Sequence, residues 1–318
     1  MVYLETVERK DKKYYYIAKN FRIDIKNWKK IRRYIGDNPH SKEQREKAIQ
    51  EIEAEALLKG FTTITPKFRY LKDEEAEKLQ DIKEVCEKFY GKISEIGKIK
   101  YDNDFVVRFT YNTNAIEGNR LSLRETSMIL TENVIPAGAT PNDYNEALNS
   151  KICHSYINSY SGEFNQKFLL KIHELLTQNT DCRIKGKYRD DKIIIMGSEW
   201  IPPPPEKIQE FMKKTFQWYY SNRKKLHPVE LGAILHNKLV RIHPFTDGNG
   251  RTARIIANWI LLKNKFPMFI IDLRDKINYY RAIEEGDKGK DEAIVHYIAE
   301  VLIKQITFEP ERFSDSSV

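Results

Sequence analysis

Apolar residues recur at helical spacing through most of the chain. The pattern predicts two or three helices between residues 122 and 182, one over residues 228–242, another after residue 254, and one over residues 293–306. Helical periodicity is thus the commonest pattern in the chain, so the predicted fold class is mainly α.

The first 35 residues differ because they are rich in strand-forming residues. Runs of such residues begin at Val2, Tyr14 and Trp28, with polar breaks at Asp11 and Asn27 between them. This succession of strand formers and turn residues predicts a small antiparallel unit of two or three strands.

Two helices are predicted between the strand unit and the rest of the chain. The first starts after Ser41, which with Gln44 has the spacing of a capping box, and it ends at Gly60. The second runs from residue 73 to about residue 96 and ends near Gly97. Both helices are expected to be scaffold.

The net charge of +8 is concentrated at the N-terminus. Residues 1–40 carry eleven Lys or Arg against five Asp or Glu, so six of the excess positive charges lie there. Basic residues interleaved with aromatic ones could bind nucleic acid or an acidic protein surface. Charged stretches are more often simply solvated, so we interpret this unit as a solvated sheet with a tyrosine-rich packing face.

The composition argues against a membrane or exported protein. No apolar run approaches the roughly eighteen residues that a membrane span requires, and the first ten residues lack the apolar core of a signal peptide. The three cysteines, Cys86, Cys153 and Cys182, have no metal-type spacing and cannot all pair. We therefore expect a cytoplasmic protein.

Residue types suited to catalysis and anion binding are concentrated in the twelve residues HPFTDGNGRTAR, from His243 to Arg254. Gly248 and Gly250 permit a close approach that a β-carbon would block, so the amides of residues 248–251 can turn towards an anion. The apolar run that follows predicts a helix whose positive N-terminal end faces the same anion. The loop is therefore predicted to bind phosphate groups.

The charged side chains of this loop fit a nucleotide. Arg251 and Arg254 lie three residues apart and can both reach phosphate oxygens. Asp247 supplies the hard oxygen that Mg²⁺ shares with phosphates. His243, at its ordinary pKa, can take a proton from an attacking hydroxyl at neutral pH.

These twelve residues resemble the signature of the Fic domain, His-x-Phe-x-(Asp/Glu)-Gly-Asn-Gly-Arg-x-x-Arg, at every position. The resemblance implies a helical bundle with a β-hairpin flap, and an enzyme that uses Mg²⁺ or Mn²⁺ to transfer AMP from ATP to a Tyr, Thr or Ser hydroxyl of a protein. Transfer of another nucleotide is the alternative. The implied roles are the general base His243, the metal ligand Asp247, the anion hole Gly248, Asn249 and Gly250, and the phosphate clamps Arg251 and Arg254.

A second segment, Thr113-Asn-Ala-Ile-Glu-Gly118, also resembles a motif of this family. Alone it predicts a threonine cap, one helical turn and a glycine stop. The family's inhibitory motif is (Ser/Thr)-x-x-x-Glu-(Gly/Asn), which Thr113, Glu117 and Gly118 satisfy. A Glu117 carboxylate paired with Arg254 would occupy the arginine that should hold the γ-phosphate. In the family the same glutamate can orient a water that removes AMP, so AMP hydrolysis is the alternative activity.

Residues 186–205 interrupt the helical pattern. A β-branched run turns at Gly197-Ser198, and four prolines follow, which predicts a hairpin with an extended exit. In Fic proteins this position is the flap, so the resemblance implies that a target protein docks on residues 190–200. It also places four flap residues beside the nucleotide: Met196, Gly197, Ser198 and Glu199. An ordinary surface hairpin is the alternative interpretation.

The segment INYYRAIEEGDKG after the motif helix resembles the family's adenine-side segment. It makes Tyr279, Tyr280 and Asp287 candidates for the base and ribose pocket. His173 and His236 are instead predicted to be packed side chains, because nothing completes a metal site around them.

The resemblance covers roughly residues 105–300. The predicted organisation is a basic strand unit over residues 1–40, a helical linker over 41–104, a Fic catalytic domain with its inhibitory helix over 105–307, and a tail over 308–318. The position of Glu117 upstream of the motif resembles the Fic class whose inhibitory helix is N-terminal in the same chain. Relatives of that class often form dimers, so the resemblance also implies a homodimer.

Overall fold

The computed structural model describes residues 2–9, 12–22, 28–36, 39, 41–59, 68–181 and 183–307. The chain divides into two units, residues 1–67 and 68–318. Each unit has a hydrophobic core of its own.

The first unit contains a three-stranded antiparallel sheet, as predicted. Its strands follow in the order β1-β2-β3, with β1 at Val2–Arg9, β2 at Lys12–Arg22 and β3 at Trp28–Tyr34. In the central strand Tyr16 lies opposite Glu5 of β1 and opposite Tyr34 of β3. Because side chains alternate along a strand, this register decides which residues share a face.

One helix, α1 (Lys42–Leu58), covers one face of this sheet. Ile17 and Ile31 of the sheet pack with Ile52 of the helix, which is fully buried. The hydrophobic stripe of α1 is used by the sheet, and the residues from 68 onwards belong to the second unit. The division of the chain at residues 40 and 104 stays a prediction. The predicted C-cap Gly60 lies outside the described residues.

The second unit is entirely helical in its regular structure, as far as residues 68–181 and 183–307 describe it. A short helix α4 (Leu123–Ser127) continues as a π-helical turn at Met128–Glu132. The other helices are α2 (Asp73–Lys92), α3 (Glu95–Ile116), α5 (Pro141–Ser159), α6 (Gln166–Thr177), α7 (Ile208–Asn222), α8 (Pro228–Ile242), α9 (Asn249–Lys263), α10 (Lys276–Asp287) and α11 (Asp291–Thr307). The mainly α prediction is confirmed, including the helices expected between residues 122 and 182.

Helices α8 and α9 form the centre of this unit. Almost every residue of α9 is buried, including Ile256 and Trp259, which is typical of a helix enclosed by others on all sides. Gly232 lets α8 approach closely, because a β-carbon there would lie 3.3 Å from the carbonyl oxygen of Ala257. None of the helices in the described ranges has the length and apolar character needed to cross a membrane.

The predicted helix over residues 73–96 is wrong at its end. Helix α2 stops at Lys92 and α3 starts at Glu95, so Gly97 lies in the first turn of α3. The cause is Ser94, whose Oγ accepts the backbone N–H of Gly97 at 3.1 Å and caps the new helix. Gly97 predicts the end of a helix, whereas the Ser94 cap marks the beginning of the next helix.

The β-hairpin predicted within residues 186–205 is also not formed. The chain does turn there, with the N–H of Ser198 donating to the carbonyl of Ile195 at 3.2 Å and Gly197 at a φ of +78°. No strand pairing is assigned in the part of this segment that the structure describes. The four prolines after Ile201 lack an N–H, so they cannot supply the ladder of hydrogen bonds that a hairpin needs.

A buried carboxylate ties the start of the second unit to α8. Glu230 is inaccessible to solvent. Its Oε1 accepts the backbone N–H groups of Arg69, Tyr70 and Leu71 at 2.7, 2.7 and 3.0 Å. Bonds to a charged acceptor are stronger than neutral ones, so one side chain fixes three residues of the incoming chain.

We expect Glu230→Ala to lower the free energy of unfolding by about 3 kcal/mol, because three backbone amides lose their shared acceptor. Glu230→Gln should cost less, since its amide oxygen still accepts. Urea denaturation measures both. Glu210→Ala is the control, because Glu210 pairs with Lys214 at the surface, and it should leave the midpoint unchanged. Equal midpoints for the two alanine variants would contradict this assignment.

Candidate active site

The loop between α8 and α9 is held by its own backbone and by one asparagine. His243 ends α8 in the left-handed region at a φ of +49°, and Gly248 begins α9 at +75°. Asn249 Oδ1 accepts the N–H of Phe245 at 2.9 Å, and its Nδ2 donates to the carbonyl of the same residue at 2.8 Å. This reciprocal pair closes the loop and fixes its backbone. The predicted helix N-terminus at this loop is confirmed, and α9 begins at Asn249, between the two glycines.

His173 of α6 packs against the loop and forms a hydrogen bond to its backbone. It is buried, as predicted, and its ring stacks on Phe245 with the centroids 3.7 Å apart. The N–H of Gly186 donates to Nδ1 at 3.0 Å, so the ring proton lies on Nε2, which donates to the carbonyl of Asp247 at 3.0 Å. His173 is therefore a packed residue that also positions the residue predicted to bind the metal.

His243 presents one nitrogen that can accept a proton. Its Nδ1 lies 3.0 Å from the carbonyl oxygen of Val240, which places the ring proton on Nδ1 and leaves Nε2 as the basic atom. Partial burial of the ring lowers the pKa of His243 below its usual 6.5, although the Val240 carbonyl and the Glu117 carboxylate oppose the shift. The imidazole is therefore neutral at pH 7 and competent as a base.

A buried arginine that the sequence did not reveal joins the flap to the loop. Arg189 is 4% exposed. Its Nε donates to the carbonyl of His243 at 2.8 Å, while its Nη atoms donate to the carbonyls of Asp191 and Pro203 at 2.7 and 2.6 Å. One side chain thus fixes both arms of the flap against the loop. No spacing pattern marks Arg189, because all its acceptors are backbone carbonyls.

The flap tip is exposed and apolar. Trp200 Nε1 donates to the carbonyl of Arg241 at 2.9 Å and anchors the base of the flap to α8. Met196 at the turn is 96% exposed, with Ile194 and Ile201 at 88% and 82%. A fixed base and an exposed apolar tip are suited to contact with another molecule.

Asp247 is placed where a metal-bound phosphate could reach it. Its side chain is 65% exposed, and its Oδ2 accepts from Arg251 Nη2 at 2.9 Å. Mg²⁺ takes few protein ligands and shares its remaining sites with phosphates and water. Asp247 fits that use, whereas no group of three or more His, Cys, Asp or Glu side chains forms a metal cage among the residues that were described.

Arg251 is aimed by a carboxylate from α5. Its buried guanidinium donates through Nη1 to Glu146 Oε1 at 2.8 Å. Glu146 in turn accepts from Asn119 Nδ2 at 2.8 Å. Glu146 carries no motif in the sequence, because its role depends on a contact across 105 positions of the chain.

Arg254 is enclosed by acceptors from α3 and α10. Its Nε donates to Thr113 Oγ1 at 2.8 Å, and its Nη2 donates to the carbonyl of Thr113 at 2.9 Å and to Glu117 Oε1 at 2.7 Å. Nη1 donates to Tyr279 Oη at 3.2 Å. Burial alone would lower the pKa of Arg254, but Tyr279 and Glu117 raise it overall. The predicted clamp and the predicted inhibitory residues therefore meet.

Glu117 fills the space above the second glycine of the loop. It lies at the C-terminal end of α3, followed by Gly118 at a φ of +103°. A β-carbon added to Gly250 would lie 2.2 Å from Glu117 Oε1, so the carboxylate rests at the N-terminus of α9, where an anion is favoured. The predicted glycine stop is confirmed, but the predicted cap is wrong. Thr113 lies within the last turn of α3, because that helix starts far upstream.

The candidates for the base pocket differ in their exposure. Tyr279 is buried, and its hydroxyl lies 2.8 Å from His236 Nε2 as well as beside Arg254. Tyr280 is 39% exposed and keeps a ring surface on which a base could stack. Asp287 forms an ion pair with Arg241 at 3.4 Å. The base pocket itself stays a prediction. His236 is buried, as predicted.

A cavity of about 990 Å³ lies elsewhere in the second unit. Its lining comes mainly from α2, α3, α11 and the loop before α10, and includes Tyr101, Phe105 and Met268. None of the motif residues from His243 to Arg254 takes part. This cavity is therefore separate from the candidate site at the loop.

Comparison with known families agrees with the geometry of the loop. Residues 163–261, which include α6, the flap, α8 and most of α9, match the Fic/DOC family. The chain contains a Fic domain. The resemblance noted in the twelve motif residues is thereby confirmed over a far longer stretch.

Curated relatives of this Fic domain are named "Protein adenylyltransferase Fic". The one from Nematostella vectensis is 33% identical over 194 residues, which are 59% of this chain and 45% of the relative. The one from Drosophila melanogaster is 31% identical over 200 residues, or 62% and 40% of the two chains. The alignments thus span less than half the length of these relatives.

Solved structures share the fold. A Fic-domain signalling protein from Bacteroides thetaiotaomicron superposes with a TM-score of 0.66 at 26% identity, over 74% of this chain and 97% of that one. A Fic-1 fragment from C. elegans gives 0.68 at 24% identity, over 88% and 80%. The arrangement of helices around the loop is therefore that of Fic domains.

We expect Gly250→Ala to break the contact between Glu117 and Arg254, because the new methyl group overlaps the carboxylate. Losing this partly exposed ion pair should lower the free energy of unfolding by about 2 kcal/mol. Urea denaturation measures the loss. Gly91→Ala is a matched control, since nothing lies within 4 Å of its β-carbon in α2, and alanine should stabilise that helix slightly. A Gly250→Ala variant as stable as the parent would contradict the assignment.

Proposed function

We propose that this protein transfers AMP from ATP to a hydroxyl group of a target protein and is held inactive by its own Glu117. The observation that carries the proposal is the loop itself, in which a basic His243 Nε2 stands beside glycines and arginines suited to phosphate. The names of the curated relatives support the same chemistry.

The reaction needs one proton acceptor and one anion site. The hydroxyl oxygen of the target attacks the α-phosphorus of ATP, and the new bond is a phosphodiester between the target and AMP. The bond between the α-phosphorus and the bridging oxygen to the β-phosphorus breaks, so pyrophosphate leaves. His243 Nε2 takes the hydroxyl proton, for which its lowered pKa keeps it ready at neutral pH.

The residues around the loop would hold the triphosphate. The amides at the N-terminus of α9 and the guanidinium of Arg251 offer donors to phosphate oxygens. A divalent cation such as Mg²⁺, held by Asp247, would neutralise part of the phosphate charge when bound. The flap tip around Met196 would hold the target chain so that its hydroxyl faces His243.

Inhibition follows from a competition for Arg254. The γ-phosphate of ATP needs this guanidinium, and Glu117 occupies it at 2.7 Å while filling the space over Gly250. A pair shielded from water can be worth a few kcal/mol. Since about 1.4 kcal/mol corresponds to a factor of ten in rate, such a pair can suppress turnover by orders of magnitude.

We expect Glu117→Gly to raise AMP transfer by about tenfold or more, because Arg254 is released for the γ-phosphate. Incorporation of label from α-labelled ATP into the protein itself and into lysate proteins measures this. Glu117→Gln is the matched control, since it keeps the shape but loses the charge and should be activated less. The double variant with His243→Ala should be inactive. A Glu117→Gly variant as quiet as the parent would refute inhibition by this residue.

The same experiment tests the alternative activity, removal of AMP. Glu117 has a third of its side chain exposed, so water can reach its carboxylate. If the unmodified protein releases AMP from the labelled products and Glu117→Gly does not, hydrolysis is a second activity of this site. Products that stay stable in the presence of the unmodified protein would exclude it.

The pH dependence of the released Glu117→Gly variant follows from His243. A base works only when unprotonated, and burial lowers the pKa of this histidine below 6.5. Removal of Glu117 also removes a carboxylate that raises this pKa. The transfer rate should therefore fall to half of its maximum at a pH below 6.5, as the base becomes protonated. A rate that already halves near pH 7 would show that another group limits the reaction.

A further inference from the structure

The strand unit presents one face that α1 does not cover. Strand alternation directs Ile17, Phe21 and Ile31 towards the helix, where they are buried. The register places the remaining side chains on the opposite face. That face, called here the open face, carries Tyr3, Glu5, Tyr14, Tyr16, Lys30, Arg32 and Tyr34.

Tyrosines dominate the open face. The ring of Tyr34 lies 6.1 Å from that of Tyr14 and 5.5 Å from that of Tyr16, and the guanidinium of Arg32 lies 4.8 Å above Tyr16. Tyr34 is 49% exposed and Tyr3 37%. Within this unit no described element packs over these rings. A contiguous, partly exposed aromatic surface of this kind is typical of a binding site.

Charge is distributed unequally between the two faces. On the covered face, acidic residues of α1 pair with the basic ones, as Glu53 does with Lys19 at 3.0 Å and Glu55 with Arg33. On the open face, Lys30 and Arg32 share a single carboxylate, that of Glu5, at 2.7 and 3.3 Å. The helix therefore neutralises its own side of the sheet, and an excess of positive charge remains on the open face.

We infer that the open face binds single-stranded nucleic acid. Tyrosine rings stack on unpaired bases of any sequence, and an adjacent Lys and Arg can contact the phosphates between them. The tyrosine rings favour exposed bases over a duplex, because a duplex hides its bases and leaves mainly phosphates to contact. They also disfavour an acidic protein surface, which offers carboxylates but few flat rings.

The test uses the full chain and a fluorescein-labelled oligonucleotide of about twenty mixed-sequence nucleotides, with fluorescence anisotropy as the readout. The unmodified protein should bind the single strand, and Tyr16→Ala together with Tyr34→Ala should weaken binding by about tenfold or more. Circular dichroism and thermal unfolding of each variant show whether the strand unit is still folded.

Charge changes on the open face give effects of opposite sign. Lys30→Gln with Arg32→Gln should weaken binding and reduce the slope of log K against log salt by about 1.4, at about 0.7 for each lost phosphate contact. Glu5→Gln should instead strengthen binding several-fold, because it frees both cations. Loss of folding cannot explain a gain in affinity. Lys13→Gln is the control, since Lys13 of the central strand β2 lies on the covered face of the same sheet.

Several results would overturn the inference. It is wrong if the unmodified protein does not bind the single strand at low salt. It is also wrong if a duplex of the same sequence binds as tightly, if an acidic peptide displaces the strand, or if Glu5→Gln weakens binding. If Lys13→Gln weakened binding as much as Lys30→Gln with Arg32→Gln, binding would depend on the net charge of the protein rather than on the open face.

Discussion

A guanidinium without access to water governs the arrangement of this site. Arg254 is 1% exposed, and a buried charge is tolerated only when its donors are matched by acceptors. It finds them on Thr113 and Glu117 of α3 and on Tyr279 of α10. Two helices, α3 and α10, are thus held in register by one side chain of a third, α9. The need to compensate its charge brings a carboxylate to the place where, on the proposed function, a phosphate would bind.

The rest of the loop is rigid for a different reason. Asn249 closes the backbone, His173 supports it, and Arg189 ties it to the flap, so each reactive group is held by a neighbour with no reactive role. Groups fixed in this way need little reorganisation when charge develops. The exposed tip around Met196 is the contrasting part, and on the proposed function it would adapt to the target protein.

The sequence predicted what depends on local pattern. Helical periodicity gave the mainly α class, and the twelve motif residues gave the loop, because both are encoded by neighbours in the chain. It failed where distant contacts decide. Ser94 outweighed Gly97 as a boundary, backbone carbonyls rather than a β-ladder organised the flap, and Glu146 and Arg189 act across the fold without any spacing that marks them.

The missing β-carbon of Gly250 has an evolutionary consequence. The same empty volume admits the carboxylate of Glu117 and, on the proposed function, the phosphate that replaces it. A bulkier residue at position 250 would exclude both anions. A substitution there could therefore not remove the inhibition by Glu117 without also preventing the phosphate of ATP from binding. On the proposed function, a permanently active descendant would therefore arise through a change at Glu117, which follows the last turn of α3.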